Sequence, residues 1–335
     1  MTLPSAARLL RRRLLGWYRR NKRDLPWRAS RDPYRIWISE IMLQQTRVAA
    51  AIPYFKRFLI RFPDVRQLAE ACEADVLAAW AGLGYYTRAR NLQKAAKKIV
   101  EAGGFPHDYD SILRLPGVGE YTAAAVASIA FELKHAAVDG NALRVLSRLT
   151  AERANIASPL VRKRLAGVAD LLIDPRIPGE FNQAMMELGA LICLPKSPQC
   201  AVCPLSELCE ARALGTENEL PLKTPRVRPM PVEKQILVIQ RRSEILAWQR
   251  PPESARMAGF WELPEPEQLP SATVGIRIAT FRHTIVNTNY LVTVHKGSTS
   301  HVPENFRWLR IKTSSQIPLS TTARKALACL GTIRS

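Results

Sequence analysis

Along the first two thirds of the chain, apolar residues recur at helical spacing; along the last third they gather into short β-rich runs. Leu3, Leu9, Leu10, Leu14, Leu15, Trp17 and Tyr18 form an apolar stripe that predicts a first helix leading into Asp24-Leu-Pro-Trp-Arg28. Helical segments follow near 35–60, 67–81, 86–102, 120–132, 141–150, 159–173 and 179–192. Ser158-Pro159 reads as an N-cap with proline in the first turn, and Gly103-Gly104-Phe-Pro106 as a helix stop. The stretch from Gly215 to Pro231 has the composition of a linker. Beyond it, Gln235–Gln240, Glu244–Trp248, Thr273–Phe281, Tyr290–His295 and Phe306–Arg310 read as strands, closed by a helix near 321–330. The predicted organisation is a helical domain over 1–214, a linker over 215–231 and a small α+β domain over 232–335. No internal repeat is evident.

Charge adds a partner class. Lysine and arginine number 49 against 29 acids, a formal net charge of +20, in a chain of 335 residues. Residues 1–60 carry fourteen of those bases and three acids, Asp24, Asp32 and Glu40. Such a field favours a polyanion and makes its binding salt-dependent, although a charge run alone is as readily a solvated face. No apolar run reaches the roughly 18 residues of a membrane span. The Arg-rich start superficially resembles a transit peptide, but its stripe reads as part of the fold, so the expected location is intracellular, in the cytoplasm.

Cys193, Cys200, Cys203 and Cys209 fall within seventeen residues, spaced Cys-x6-Cys-x2-Cys-x5-Cys. Thiolates this dense are a ligand set for one tetrahedral zinc or one cubane iron–sulfur cluster. Disulfides fit poorly, because the chain is no cysteine-dense mini-domain. Upstream, Leu115-Pro-Gly-Val-Gly-Glu-Tyr-Thr-Ala123 places Gly117 and Gly119 in a tight turn between two helices, with backbone N–H groups exposed for an anion such as a phosphate. Val138-Asp139-Gly140-Asn141 opens another helix, where Asp139 has the ordinary role of N-cap. Glu40 stands among Ile36, Trp37, Ile38, Ile41, Met42 and Leu43. A carboxyl desolvated there would be a proton donor near neutral pH; on the polar side of an amphipathic helix it would be inert.

These segments together resemble the helix–hairpin–helix DNA glycosylase superfamily, and within it the adenine-specific mismatch glycosylases of the MutY type. Further similar stretches are Trp37-Ile-Ser-Glu-Ile-Met-Leu-Gln-Gln-Thr46, Gly82-Leu-Gly-Tyr-Tyr86, Arg88-Ala-Arg-Asn91 and Phe181-Asn-Gln-Ala-Met-Met-Glu-Leu-Gly189. The match runs nearly continuously over residues 17–212. It implies an all-α glycosylase domain with the hairpin at about 110–131 and a [4Fe–4S] cluster on the four cysteines of loop 193–209. By the same resemblance Glu40 is the acid that protonates N7 of an extruded adenine and helps activate water. Asp139 stabilises the oxocarbenium character of the sugar, and Asn141 orients that site. Bifunctional relatives carry a Schiff-base lysine where this chain has Tyr121, so the implied chemistry is hydrolysis with weak lyase activity at most. Gln45 and Tyr85 occupy wedge positions for base flipping, while Trp27, Arg28, Leu43 and Gln183 match the surroundings of the flipped base. Lys196 is expected to meet a phosphate on the cluster loop. Tyr85 and Leu43 are equally compatible with core packing, and Lys196 with a solvated lysine.

The resemblance extends more weakly to the tail, where Met257-Ala-Gly-Phe-Trp-Glu-Leu-Pro264 matches a Nudix-like signature. Pro266-Glu-Gln-Leu-Pro-Ser-Ala-Thr-Val-Gly275 follows in place of a magnesium-holding acidic cluster, so the expectation is recognition of the opposite base without hydrolysis. Ile285, Val286 and Asn287 stand where the family carries Phe-Ser-His in its lesion-reading loop, which puts preference for 8-oxoguanine over guanine in question. The fold class expected is therefore multi-domain, with an all-α helix–hairpin–helix glycosylase domain plus an α+β Nudix-like domain. The function expected is monofunctional removal of adenine opposite 8-oxoguanine or guanine in double-stranded DNA, by a monomer. The rival readings are thymine excision from G·T mismatches and a non-enzymatic iron–sulfur DNA-binding protein.

Overall fold

The computed structural model describes residues 3–224, 230–251, 253–254, 257–285, 288–310 and 317–330. Packing groups them into two compact units: Met1–Glu70 with Lys94–Pro225, and Ala71–Gln93 with Arg226–Ser335. The division by packing thus differs from one drawn by element type at the linker, since Ala71–Gln93 groups with the C-terminal residues.

The first unit is helical. In chain order the helices are α1 (Leu3–Asn21), α2 (Pro33–Leu43), α3 (Val48–Arg61), α4 (Val65–Glu70), α5 (Glu73–Trp80), α6 (Thr87–Glu101), α7 (Tyr109–Leu113), α8 (Glu120–Phe131), α9 (Gly140–Leu149), α10 (Pro159–Leu172), α11 (Pro178–Leu191) and α12 (Glu210–Ala213). Of these, α5 and the first half of α6 belong to the second unit. Two predicted helices are each divided. The 35–60 segment breaks between α2 and α3 because Gln45 takes a left-handed backbone, φ 58°. The 67–81 segment breaks before α5, where Cys72 is extended. Helix α2 starts where Asp32 accepts from Tyr34 N at 2.9 Å with Pro33 next to it. Ser158 stands at the N-cap of α10 with extended backbone but makes no capping hydrogen bond, contrary to the sequence expectation.

The apolar stripe of α1 packs Leu10, Leu14 and Tyr18 into one core with Leu146 of α9, Leu165 and Leu172 of α10, and Phe181 and Leu188 of α11. Burying side chains of this size stabilises by about 1.5–3 kcal/mol each. The small residues Ala123–Ala127 of α8 are buried, which lets its backbone come close to its neighbours. No helix among the described residues is long and apolar enough to cross a membrane.

The second unit is α+β. Its strands are β1 (Val232–Arg241), β2 (Glu244–Gln249), β3 (Trp261–Glu262), β4 (Ala272–Ile285), β5 (Thr288–Thr299) and β6 (Phe306–Arg310), followed by α13 (Thr321–Ala328). They form one mixed sheet in the order β3-β2-β1-β5-β4, with β6 also on β2; β1 and β5 are parallel and the other pairs antiparallel. Ile236-Leu-Val-Ile239 of β1 is buried on both faces, as a central strand requires. Ile236 and Val238 pack toward Ala323, Ala326 and Leu327 of α13, and Leu237 and Ile239 toward Leu246, Leu269 and Phe306. Within this unit the Tyr86 ring lies against Phe260 at 4.0 Å between centroids. Arg90 donates to the Ala258 carbonyl and to Glu73.

Candidate active site

Helix α2 is buried almost all round: Ile36, Trp37, Ile38, Ile41 and Met42 are at most 4% exposed. Glu40 goes down with them at 6% exposure rather than lying on a solvated side. Burial pushes its carboxyl up to about 7, helped by the charge of Asp139 and opposed by a hydrogen bond from Tyr121 and by the field of Arg28. Tyr121 stands in the first turn of α8, just past the hairpin, and its hydroxyl donates to Glu40 Oε2 at 2.5 Å. Burial and the nearby carboxylates hold that phenol well above its usual range, so it remains a neutral donor.

Asp139 faces the same cavity from the N-cap of α9. Its carboxylate accepts from Asn141 N at 2.9 Å, Ala142 N at 2.7 Å and Asn141 Nδ2 at 2.8 Å. Burial raises its pKa, and these donors together with Arg144 pull it back. Asn141 Oδ1 in turn accepts from Arg144 Nη2 at 2.9 Å. The same guanidinium donates to Gly189 O at 2.7 Å and Cys193 O at 2.7 Å. Gly189 is required by proximity: a Cβ there would meet Asn141 Cβ at 2.7 Å and Asn141 O at 2.9 Å. Gly189→Ala is expected to cost about 1–3 kcal/mol by overpacking and to slow any chemistry at Asp139 more than tenfold. Unfolding midpoints and single-turnover rates check this; a variant equal to the parent in both would show that the α9–α11 contact is slack.

A second buried carboxylate was not apparent in the sequence. Glu187 of α11 is 1% exposed and accepts from Arg23 N, Nε and Nη2 and from Arg28 Nη1 and Nη2 at 2.7–3.1 Å. Burial alone would raise its pKa; the hydrogen bonds from Arg23 and Arg28 outweigh that and bring it to about 2. The guanidinium of Arg28 is also stacked 5.5 Å from the Tyr18 ring. The Tyr18 hydroxyl donates to Gln183 Oε1 at 3.2 Å.

A cavity of about 750 Å³ brings together Trp27, Arg28, Glu40, Leu43, Gln45, Tyr121, Asp139, Asn141 and Gln183 with Arg23, Arg144, Glu187 and Lys223. The volume is that of a site for one drug-sized or nucleoside-sized group. A neutral acid with a raised pKa facing a hydrogen-bonded carboxylate can protonate a leaving group on one side and stabilise positive charge on the other. Gly117, with φ 76°, and Gly119, which caps α8 without a side chain, lie exposed at the hairpin outside the cavity wall. Lys196 is exposed on the cysteine loop, also away from it. Tyr85 belongs to the second unit and is 44% exposed with φ 50°. Like Gln45 it is a non-glycine residue held in a left-handed conformation, a strain that collects at working sites. Val286 and Asn287 lie outside the described residues. Nearby, Thr284 Oγ1 donates to Asn289 Oδ1 at 2.8 Å across the β4–β5 hairpin, so these two side chains satisfy each other.

The four cysteines Cys193, Cys200, Cys203 and Cys209 line a separate small cavity with Arg148 and Glu217. Four thiols lining one cavity are a soft donor set of the kind that holds an iron–sulfur cluster. Burial raises the Cys203 thiol to about 11, so a cationic centre is what would hold the thiolates ionised. Arg148, 1% exposed, donates to Cys193 Sγ at 3.2 Å and to Leu194 O at 2.7 Å, the kind of outer contact that orients and tunes a sulfur ligand. The residues fit an iron–sulfur cluster.

Comparison with known proteins places these features in a family. Residues 38–169 match the HhH-GPD superfamily base excision DNA repair proteins, and residues 193–209 match the iron–sulfur binding domain of endonuclease III. The chain is 47% identical over 218 residues to a Homo sapiens protein named adenine DNA glycosylase, covering 62% of this chain and 40% of that protein. It is 37% identical over 253 residues to the protein of that name from Buchnera aphidicola subsp. Baizongia pistaciae, covering 74% of this chain and 70% of that protein. A solved structure described as a thermostable thymine-DNA glycosylase aligns with TM-score 0.58 and 30% identity, over 63% of this chain and 98% of that one. The chain spans about 40% of the length of the mammalian relatives it matches.

Proposed function

We propose, since the chain belongs to the HhH-GPD superfamily of base excision DNA repair proteins, that it is a monofunctional DNA glycosylase removing adenine mispaired with 8-oxoguanine or guanine. The observation that carries the reading is the Tyr121–Glu40 hydrogen bond, buried in a cavity that Asp139 shares. Glu40, protonated near neutral pH, gives its proton to N7 of the extruded base. The bond from N9 to C1′ then breaks, with its electron pair leaving on the base. Asp139 stabilises the positive charge that develops on the sugar, and Asn141 keeps its carboxylate turned toward that point. Water adds at C1′ and gives a proton back to Glu40, leaving an abasic site in an intact strand. No lysine stands at position 121 to form a Schiff base. Trp27, Leu43 and Gln183 wall the base pocket. Glu187, saturated by its hydrogen bonds from Arg23 and Arg28, fixes those two guanidinium groups in the cavity wall. Gln45 and Tyr85 fill the vacated stack, while Gly117, Gly119 and Lys196 meet backbone phosphates. The tail near Val286 and Asn287 reads the opposite base. Cys193, Cys200, Cys203 and Cys209 would hold a [4Fe–4S] cluster, which cross-links their loop and offers a one-electron couple when bound.

The test is a single-turnover assay on duplexes with A opposite 8-oxoguanine and A opposite guanine. Strand cleavage that requires alkali is expected. One observation favours a second reading, thymine release from G·T pairs: the aligned structure of that description has 30% identity over nearly its whole length. Release of thymine and not adenine would replace the first reading with the second.

A further inference from the structure

The segment Leu220–Thr224 is fixed to the helical unit at three points. Arg148 Nε donates to Leu220 O at 2.9 Å, Ile156 N to Leu222 O at 3.1 Å, and Asn155 Nδ2 to Thr224 Oγ1 at 2.7 Å. Lys223 lies between the last two, so its backbone is held on both sides. Lys223 lines the 750 Å³ cavity that Asn141 and Arg144 also line. The other basic groups of that wall are committed: Arg23 and Arg28 to Glu187, and Arg144 to Asn141, Gly189 and Cys193. Lys223 is exposed and, among the described residues, has no carboxylate or carbonyl partner.

We propose that Lys223 binds the phosphodiester flanking the extruded nucleotide, an inference that rests on the DNA glycosylase reading. The same cavity is lined by the carboxylates of Glu187 and Asp139, whose negative charge suits a base and a cationic sugar and repels a phosphate. The phosphate therefore stays at the mouth, where a compact ammonium on an anchored backbone meets it. Lys223 is a positioning residue: it holds the nucleotide in the cavity and touches no reacting atom.

The experiment uses the full chain and a duplex carrying a 2′-fluorinated, cleavage-resistant deoxyadenosine opposite 8-oxoguanine. Affinity is measured between about 50 and 200 mM salt for the parent, Lys223→Ala and Lys223→Arg. Lys223→Ala is expected to weaken binding about tenfold at the low end and to reduce the salt slope by about 1. Lys223→Arg should restore both. At saturating enzyme the single-turnover rate of Lys223→Ala on the cleavable duplex should stay within about twofold of the parent. An unchanged affinity and slope would overturn the inference, as would a rate loss at saturation with the slope intact. Should the parent release no adenine at all, the functional reading fails, while the salt slope on the resistant duplex still decides the phosphate contact.

Discussion

Glu40→Gln is expected to abolish base removal and to stabilise the protein at alkaline pH. General acid catalysis contributes about 10²–10⁴-fold, and glutamine keeps the shape of the side chain while losing the proton, so a rate loss in that range follows. The stability effect has the opposite sign. The folded carboxyl is raised to about 7 from 4.5, so its contribution to stability is fully present below pH 4.5 and lost as pH rises through about 7. Above that, the parent carries a desolvated charge that glutamine lacks, a difference of about 3 kcal/mol. Unfolding midpoints of the two proteins should coincide near pH 4 and separate by pH 8, with the variant the more stable. Coincidence at both pH values would mean that Glu40 is not held protonated. The parent's rate should fall as pH rises through about 7. Tyr121→Phe removes the bond that lowers the carboxyl's pKa, so the same limb should move to higher pH. A Tyr121→Phe profile that overlays the parent's would remove the phenol from the mechanism.

Asp139→Asn separates the capping role that the structure shows from the charge-stabilising role proposed for the same side chain. As N-cap, Asp139 satisfies Asn141 N and Ala142 N, and asparagine caps about as well, so stability should change by less than about 1 kcal/mol. In the proposed role of the charge facing the sugar it would have no substitute, and losing a preorganised electrostatic contact of this kind costs about 10²–10³ in rate. Asp139→Ala should lose the cap as well, about 1 kcal/mol more. If asparagine left the rate intact while alanine lowered only stability, Asp139 would be a cap and nothing further.

What could be read from the chain followed local signals. Glu40 is conspicuous because its neighbours are apolar, Asp139 because it precedes Gly-Asn at a helix start, and the cysteines because of their spacing. The pairing of Glu187 with Arg23 and Arg28 left no such trace, because the partners are 164 and 159 residues apart and each looks like a surface charge. Arg144 is hidden for the same reason: its acceptors are mainly backbone carbonyls that the fold brings to it. Periodicity ran through the turn at Gln45 because glutamine carries no turn signature, and tertiary packing holds its φ positive. The short strand β3 is two residues long, below what alternation can reveal. The strands of the β4–β5 hairpin extend past their apolar cores because the ladder continues through polar pairs such as Thr284 and Asn289.

The grouping of Ala71–Gln93 with the C-terminal residues bears on how this protein can be cut and recombined. Phe260, fully buried, covers Tyr86, and the Ala258 carbonyl receives Arg90. The tail is thus no detachable cassette. Truncation at the linker would leave an aromatic ring and a guanidinium without their cover, within the stretch that carries Tyr85. A chimera that borrows the tail of a relative must borrow Ala71–Gln93 with it, or inherit a mismatched seam.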